Sequence, residues 1–173
     1  MRRVMVATAG IAAIATAAVI ATADEESGRT PAVSPIFGVA IPADYRLWPL
    51  VSVAEEQGFD ELRGVLGNAT AVRAYAEGRI PFPDGSVLVK LAWKRAPLAG
   101  ATGGLHGAFV AGEATTVQVM VKDSQRYAAT GGWGFGRFVD GKPADTAQHE
   151  SCFTCHEANA KPGRDYVFTE WGR

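Results

Sequence analysis

Both cysteines of this 173-residue sequence fall in one short segment, Cys152-Phe153-Thr154-Cys155-His156, and a histidine follows the second directly. In a C-x-x-C-H spacing two thiols can reach two vinyl groups on one porphyrin edge while the adjoining imidazole turns under the iron, which is the chemistry of covalent haem attachment. One helical turn supplies that geometry. A redox disulfide of the thioredoxin kind would instead open a helix after a strand in a βαβ unit. A zinc site would need two further ligands, and the sequence holds only His106 and His149 besides His156. The motif therefore predicts one haem c per chain, bound through Cys152 and Cys155, with His156 as the proximal iron ligand.

The other face of the iron decides between electron carriage and chemistry with a small ligand. No Met follows His156, and Met120 is the only one after Met5. The alternation of Val117, Val119 and Val121 with Thr116, Gln118 and Met120 sets Met120 on the strand face opposite those valines, where a packing role is the simpler reading. His106 and His149 are further possible ligands, with ordinary alternatives as a loop and a helix-surface residue. An open or water-filled sixth position is the expectation.

The elements that must hold this site are mostly strands. Leu50 to Val53, Phe59 to Leu66, Ser86 to Trp93, Thr115 to Val121 and Trp133 to Val139 are rich in β-branched or aromatic residues and bounded by Gly, Pro, Asn or Asp. They predict an α+β fold with one antiparallel sheet of about five strands and a few packed helices. Asn68 can cap a short helix through Glu77, with Gly78 in the left-handed stop position, and Pro81 to Gly85 turns the chain into the third strand. Asp145 with Gln148 three residues on resembles a capping box, so the haem motif sits on a C-terminal helix.

Residues 1 to 23 read as a signal peptide: Arg2-Arg3, an uncharged run from Val4 to Ala23, and an Ala21-Thr22-Ala23 cleavage signal before Asp24-Glu25-Glu26. The run nearly suffices to span a bilayer, so an uncleaved anchor is the alternative, but it is Ala-rich and Leu-poor. Cleavage leaves Asp24 first, residues 24–35 as a flexible leader, and 36–173 as one domain in the periplasm with no stable membrane insertion. Loss of Arg2 and Arg3 takes the formal net charge from -1 to -3, and no basic cluster appears, so nucleic acid is not an expected partner.

In order along the chain, Ile41 to Trp48, Leu66-Gly67-Asn68, Pro83 to Lys90, Lys122 to Tyr127, Gly132 to Phe135, and Cys152 to His156 with Asp165 to Thr169 resemble the cytochrome P-460 family, which includes the cytochromes c-prime-beta. The resemblance covers nearly all of the mature chain. It implies an antiparallel sheet with helices on it, a homodimer, and a c-haem with a proximal His and an open distal site. Hydroxylamine-oxidising members link a lysine nitrogen to the porphyrin, and Lys90 holds the matching position; members of the c-prime-beta type keep the fold without that link. The resemblance also points to Arg63 as a distal hydrogen-bond donor and to Phe82 as an aromatic cap over the iron.

Read from its strand alone, Lys90 shares a face with Ser86, Leu88 and Ala92, where a flat cofactor could pack. Gly134 and Gly136 leave one face of their strand bare, favouring close approach of haem or another backbone. Three functions remain open: an oxidoreductase acting on hydroxylamine or nitric oxide with a periplasmic electron-transfer partner, a nitric oxide or diatomic binder without turnover, and a simple electron carrier. The first needs a proton acceptor, for which Glu150, Asp145 and Glu113 are available carboxylates.

Overall fold

The computed structural model describes residues 31–172. The expected signal peptide, its cleavage site and residues 24–30 of the leader lie outside the described residues. Six antiparallel strands form one sheet in sequence order: β1 (Leu50–Glu56), β2 (Glu61–Gly67), β3 (Val87–Pro97), β4 (Phe109–Lys122), β5 (Trp133–Val139) and β6 (Lys142–Pro143). Two helices complete the α+β fold, α1 (Ala69–Ala76) and α2 (Thr146–Asn159). Among the described residues no helix is long and apolar enough to cross a membrane.

Four strands depart from their expected limits. β1 runs three residues further, to Glu56, because Ala54, Glu55 and Glu56 pair with Arg63, Leu62 and Glu61 in spite of their low strand propensity. β2 starts at Glu61 because Asp60, with φ 53°, closes the preceding turn. The β3–β4 hairpin continues to Pro97 and Phe109, past register shifts beside Trp93, through a stretch whose charged residues, Gly112 and Pro97 break the strand pattern. Lys142–Pro143 adds a sixth strand against Val139 and Phe138. Contacts with the sheet begin before Ile36: Ser34 is buried, its hydroxyl donates to the Phe135 carbonyl at 2.8 Å, and Val33 bridges to Ala40.

Both helix starts follow the expected capping chemistry. Asn68 Oδ1 accepts from the amides of Ala71 and Val87, and its Nδ2 donates to the Gly85 carbonyl, so one side chain starts α1 and fixes the entry to β3. Asp145 Oδ1 accepts from the Gln148 amide at 2.8 Å, which starts α2 six residues before Cys152. Gln148 Nε2 turns to the Asp145 carboxylate rather than to its backbone, so the capping box is incomplete.

Register fixes which side chains share a face. Val65, Lys90, Gln118 and Arg137 lie in one row across β2 to β5, and Leu88, Met120 and Phe135 form the next. Gly134 and Gly136 do not open their bare face to a cofactor. A Cβ on Gly134 would lie 2.3 Å from Tyr127 Cζ, and one on Gly136 would lie 2.8 Å from a ring carbon of Phe138 and 3.2 Å from Val39. Protein side chains take that space.

Candidate haem site

α2 packs chiefly against β5, and a cavity of about 330 Å³ separates it from the sheet. Cys152, Cys155 and His156 line it from the helix, and Glu56, Arg63, Lys90, Gln118 and Arg137 supply its polar groups from the strands. Val65, Leu88, Met120, Phe135 and Phe168 make the apolar part of the wall.

The spacing 152, 155, 156 puts both sulfurs and the imidazole on one side of α2. Neither cysteine is in a disulfide. Burial pushes the Cys152 thiol up, against the opposing charge of Arg137. His156 Nδ1 lies 2.7 Å from the Tyr166 carbonyl, an acceptor only, so Nδ1 carries the proton and Nε2 keeps its lone pair. Burial lowers the pKa of this histidine, the Tyr166 hydrogen bond opposes that shift and the charge of Lys90 adds to it, which favours the neutral imidazole a metal requires. Phe168 stacks on the ring at 4.3 Å and Phe135 tilts against it at 5.0 Å, so its plane is fixed from both neighbours.

Across the cavity, Glu56 holds two cations. Its Oε1 accepts from Arg63 Nη1 at 2.5 Å and its Oε2 from Lys90 Nζ at 2.8 Å, each side chain about one-fifth exposed. Lys90 and Arg63 both line the cavity. Phe82 does not. It is buried against Tyr75 and Trp133, with its amide donating to Asp165, and lies outside the cavity lining, whereas the exposed Phe59, from the turn between β1 and β2, lines the cavity beside Phe135 of β5. None of Glu150, Asp145 and Glu113 lines the cavity: Asp145 is spent on its helix cap, and the other two face solvent.

The alternative iron ligands separate equally clearly. His106 is exposed in the β3–β4 connection, away from the cavity. His149 is fully buried, its Nε2 accepting from the Arg137 amide at 3.0 Å and its Nδ1 2.8 Å from the Asp145 carbonyl, so it is a core residue rather than a helix-surface one. Met120 alone of the three reaches the cavity wall. Glu56, Gln118, Arg137 and the Tyr166 carbonyl escaped the sequence reading. Extending β1 by three residues brings Glu56 onto the strand face it shares with Ala54, the partner of Arg63, whereas the Tyr166 contact left no sequence signal.

Two thiols and a neutral imidazole on one helix side, facing an apolar-walled cavity with cationic groups, fit a haem. The chain belongs to the cytochrome P460 family, whose family model matches residues 42–169. No curated protein sequence matches the chain significantly. Among the described residues no group of three or more His, Cys, Asp and Glu is placed to hold a metal ion by itself, so a zinc site lacks its ligand set.

Proposed function

We propose that this protein is an exported, periplasmic cytochrome with one covalently attached haem, which binds and oxidises small nitrogen compounds, hydroxylamine or nitric oxide, and passes electrons to a periplasmic partner. The observation that carries this reading is one cavity with Cys152, Cys155 and His156 on one wall and Glu56, Arg63 and Lys90 on the other. Bound there, haem supplies a redox-active iron with an exchangeable position for a nitrogen ligand.

The chain's own groups supply the rest. Cys152 and Cys155 would hold a porphyrin edge, and His156 would offer its Nε2 lone pair to the iron. Arg63 donates to a bound ligand while its ion pair with Glu56 limits its motion. Glu56, a carboxylate at the cavity wall, takes protons as the substrate is oxidised. Lys90 reaches the same space and is the residue available for a link to the porphyrin.

Mass spectrometry of protein matured with the haem-attachment machinery should give a chain beginning at Asp24 with one acid-resistant haem. Recovery of haem-free chains with a Cys152–Cys155 disulfide would sink the reading. A second reading, a nitric oxide binder without the lysine link, is favoured by one observation: Lys90 Nζ donates to Glu56, and an ammonium held there is not a nucleophile. Tryptic mapping separates the two. A haem species joining the Lys90 peptide to the Cys152 and Cys155 peptide supports the oxidase, and an unmodified Lys90 peptide in full yield supports the binder.

A further inference from the structure

We propose that the buried Lys122–Asp165 ion pair is a positioning device for the proximal histidine: it locks residues 165 and 166 so that the Tyr166 carbonyl stays on His156 Nδ1. The inference rests on the haem reading above and adds two residues that do not line the cavity.

Lys122 and Asp165 form an ion pair whose side chains are only 7% and 6% exposed, whereas the pairs at the cavity and on the surface retain 20% or more. A pair so buried is weak evidence for stability, because desolvating two charges offsets much of their attraction. Its consequence here is geometric. Asp165 and Tyr166 are consecutive non-glycine residues with φ of 52° and 63°, a left-handed conformation that persists only where the surroundings over-determine it.

Those surroundings are particular. Lys122 Nζ donates to both Asp165 oxygens at 2.8 and 3.0 Å and to the Gly131 carbonyl at 2.9 Å, and it stands 5.1 Å from the centre of the Trp133 ring. Asp165 Oδ2 also accepts from the Phe82 amide at 2.8 Å, so both ends of the pair are tied to the sheet side of the molecule. Tyr166 then lays its ring over Gly131, where a Cβ would come within 2.1 Å of Cε2, and against Phe153 inside the C-x-x-C-H segment. Its carbonyl is left aimed at His156, 2.7 Å away.

A carbonyl on Nδ1–H fixes the imidazole tautomer and raises the basicity of Nε2, which strengthens donation to iron and favours its oxidised state. Releasing residues 165 and 166 therefore weakens the proximal bond without touching any cavity residue. In haem-loaded Asp165→Asn, with haem attachment verified by mass, the ferrous Fe–His stretch should move to lower frequency and the reduction potential upward. Lys161→Ala, which breaks an exposed pair in the same C-terminal segment, should move neither. If Asp165→Asn does not fold, Lys122→Met combined with Asp165→Asn leaves no buried charge and keeps a side chain that tolerates the left-handed backbone, and the same two shifts are expected. Wild-type stretch and potential in either folded, haem-loaded variant would overturn the proposal. Absence of covalent haem from the wild type would instead remove the haem reading on which it stands.

Discussion

Glu56 joins Arg63 and Lys90 at the cavity, and its place follows from register rather than from sequence neighbours. Lys90 lies 34 residues away and reaches it across β2. A carboxylate that lines the cavity is placed where a proton acceptor is needed, a role worth about 10²–10⁴ in rate when the acceptor is correctly positioned. Glu56→Gln should therefore retain the thioether-bound haem and bind nitric oxide, yet oxidise hydroxylamine at least about 100-fold more slowly. Wild-type turnover in that variant would remove Glu56 from the mechanism. Met120 makes the complementary case: it lines the cavity, so Met120→Leu should leave the optical spectrum unchanged if the sixth position is open, and a change from low to high spin would identify Met120 as a ligand. Lys90 and Arg63 were marked by the family resemblance, and for Lys90 the strand alternation added a face where a flat cofactor could pack. Glu56 was not, since it sits in an acidic run that resembles a turn until β2 pairs with it. Phe82 failed for the opposite reason, because an aromatic in a Pro-rich turn carries no record of which side of the sheet it enters.

The helix that carries the haem motif is set by its first residue. Asp145 accepts from the Gln148 amide, and this hydrogen bond, followed by a weaker one from the Gln148 side chain, holds its carboxyl below the usual aspartate range. Asp145 thus stays ionised in the fold at pH values where the unfolded chain takes up a proton. Its contribution is complete above about pH 3.9 and is lost as pH falls through the lower folded value. Asp145→Ala should lower the Tm by a few degrees at pH 7, Asp145→Asn should lower it less, and the gap between wild type and Asp145→Ala should narrow near pH 3. A gap independent of pH in thermal melts would show that the charge contributes nothing. β5 was readable to the residue, because Trp133 to Val139 is dense in aromatic and branched side chains; what its glycines admit was not. The Tyr127 ring occupies the space beside Gly134, with its hydroxyl donating to the Phe37 carbonyl at 3.0 Å, and it comes from a turn with no strand signal. Gly134→Ala forces that buried ring to move and should cost about 1–3 kcal/mol, measured by urea unfolding.

At the scale of the molecule, the sheet and the haem-motif helix depend on the cofactor to different degrees. Strands β2 to β5 each pair on both sides, and Val89, Val119 and Phe138 are almost completely buried, so the sheet carries a core of its own. α2 buries only His149 completely, packs chiefly on β5, and otherwise faces the cavity lined by Cys152, Cys155 and His156. A haem held as proposed would complete the packing beneath that helix through Cys152, Cys155 and His156. Without it, α2 is a 14-residue helix with one buried anchor, and a helix of that length is marginal in water on propensity alone. Local stability should then split along the same boundary. In Cys152→Ala/Cys155→Ala protein purified free of haem, amide exchange across residues 146–159 should become faster by at least an order of magnitude than in the haem-loaded wild type, while β3 and β4 keep most of their protection. Equal protection of α2 in both proteins would mean that the helix is held by its contact with β5 alone, and that the cavity is no part of the folded core.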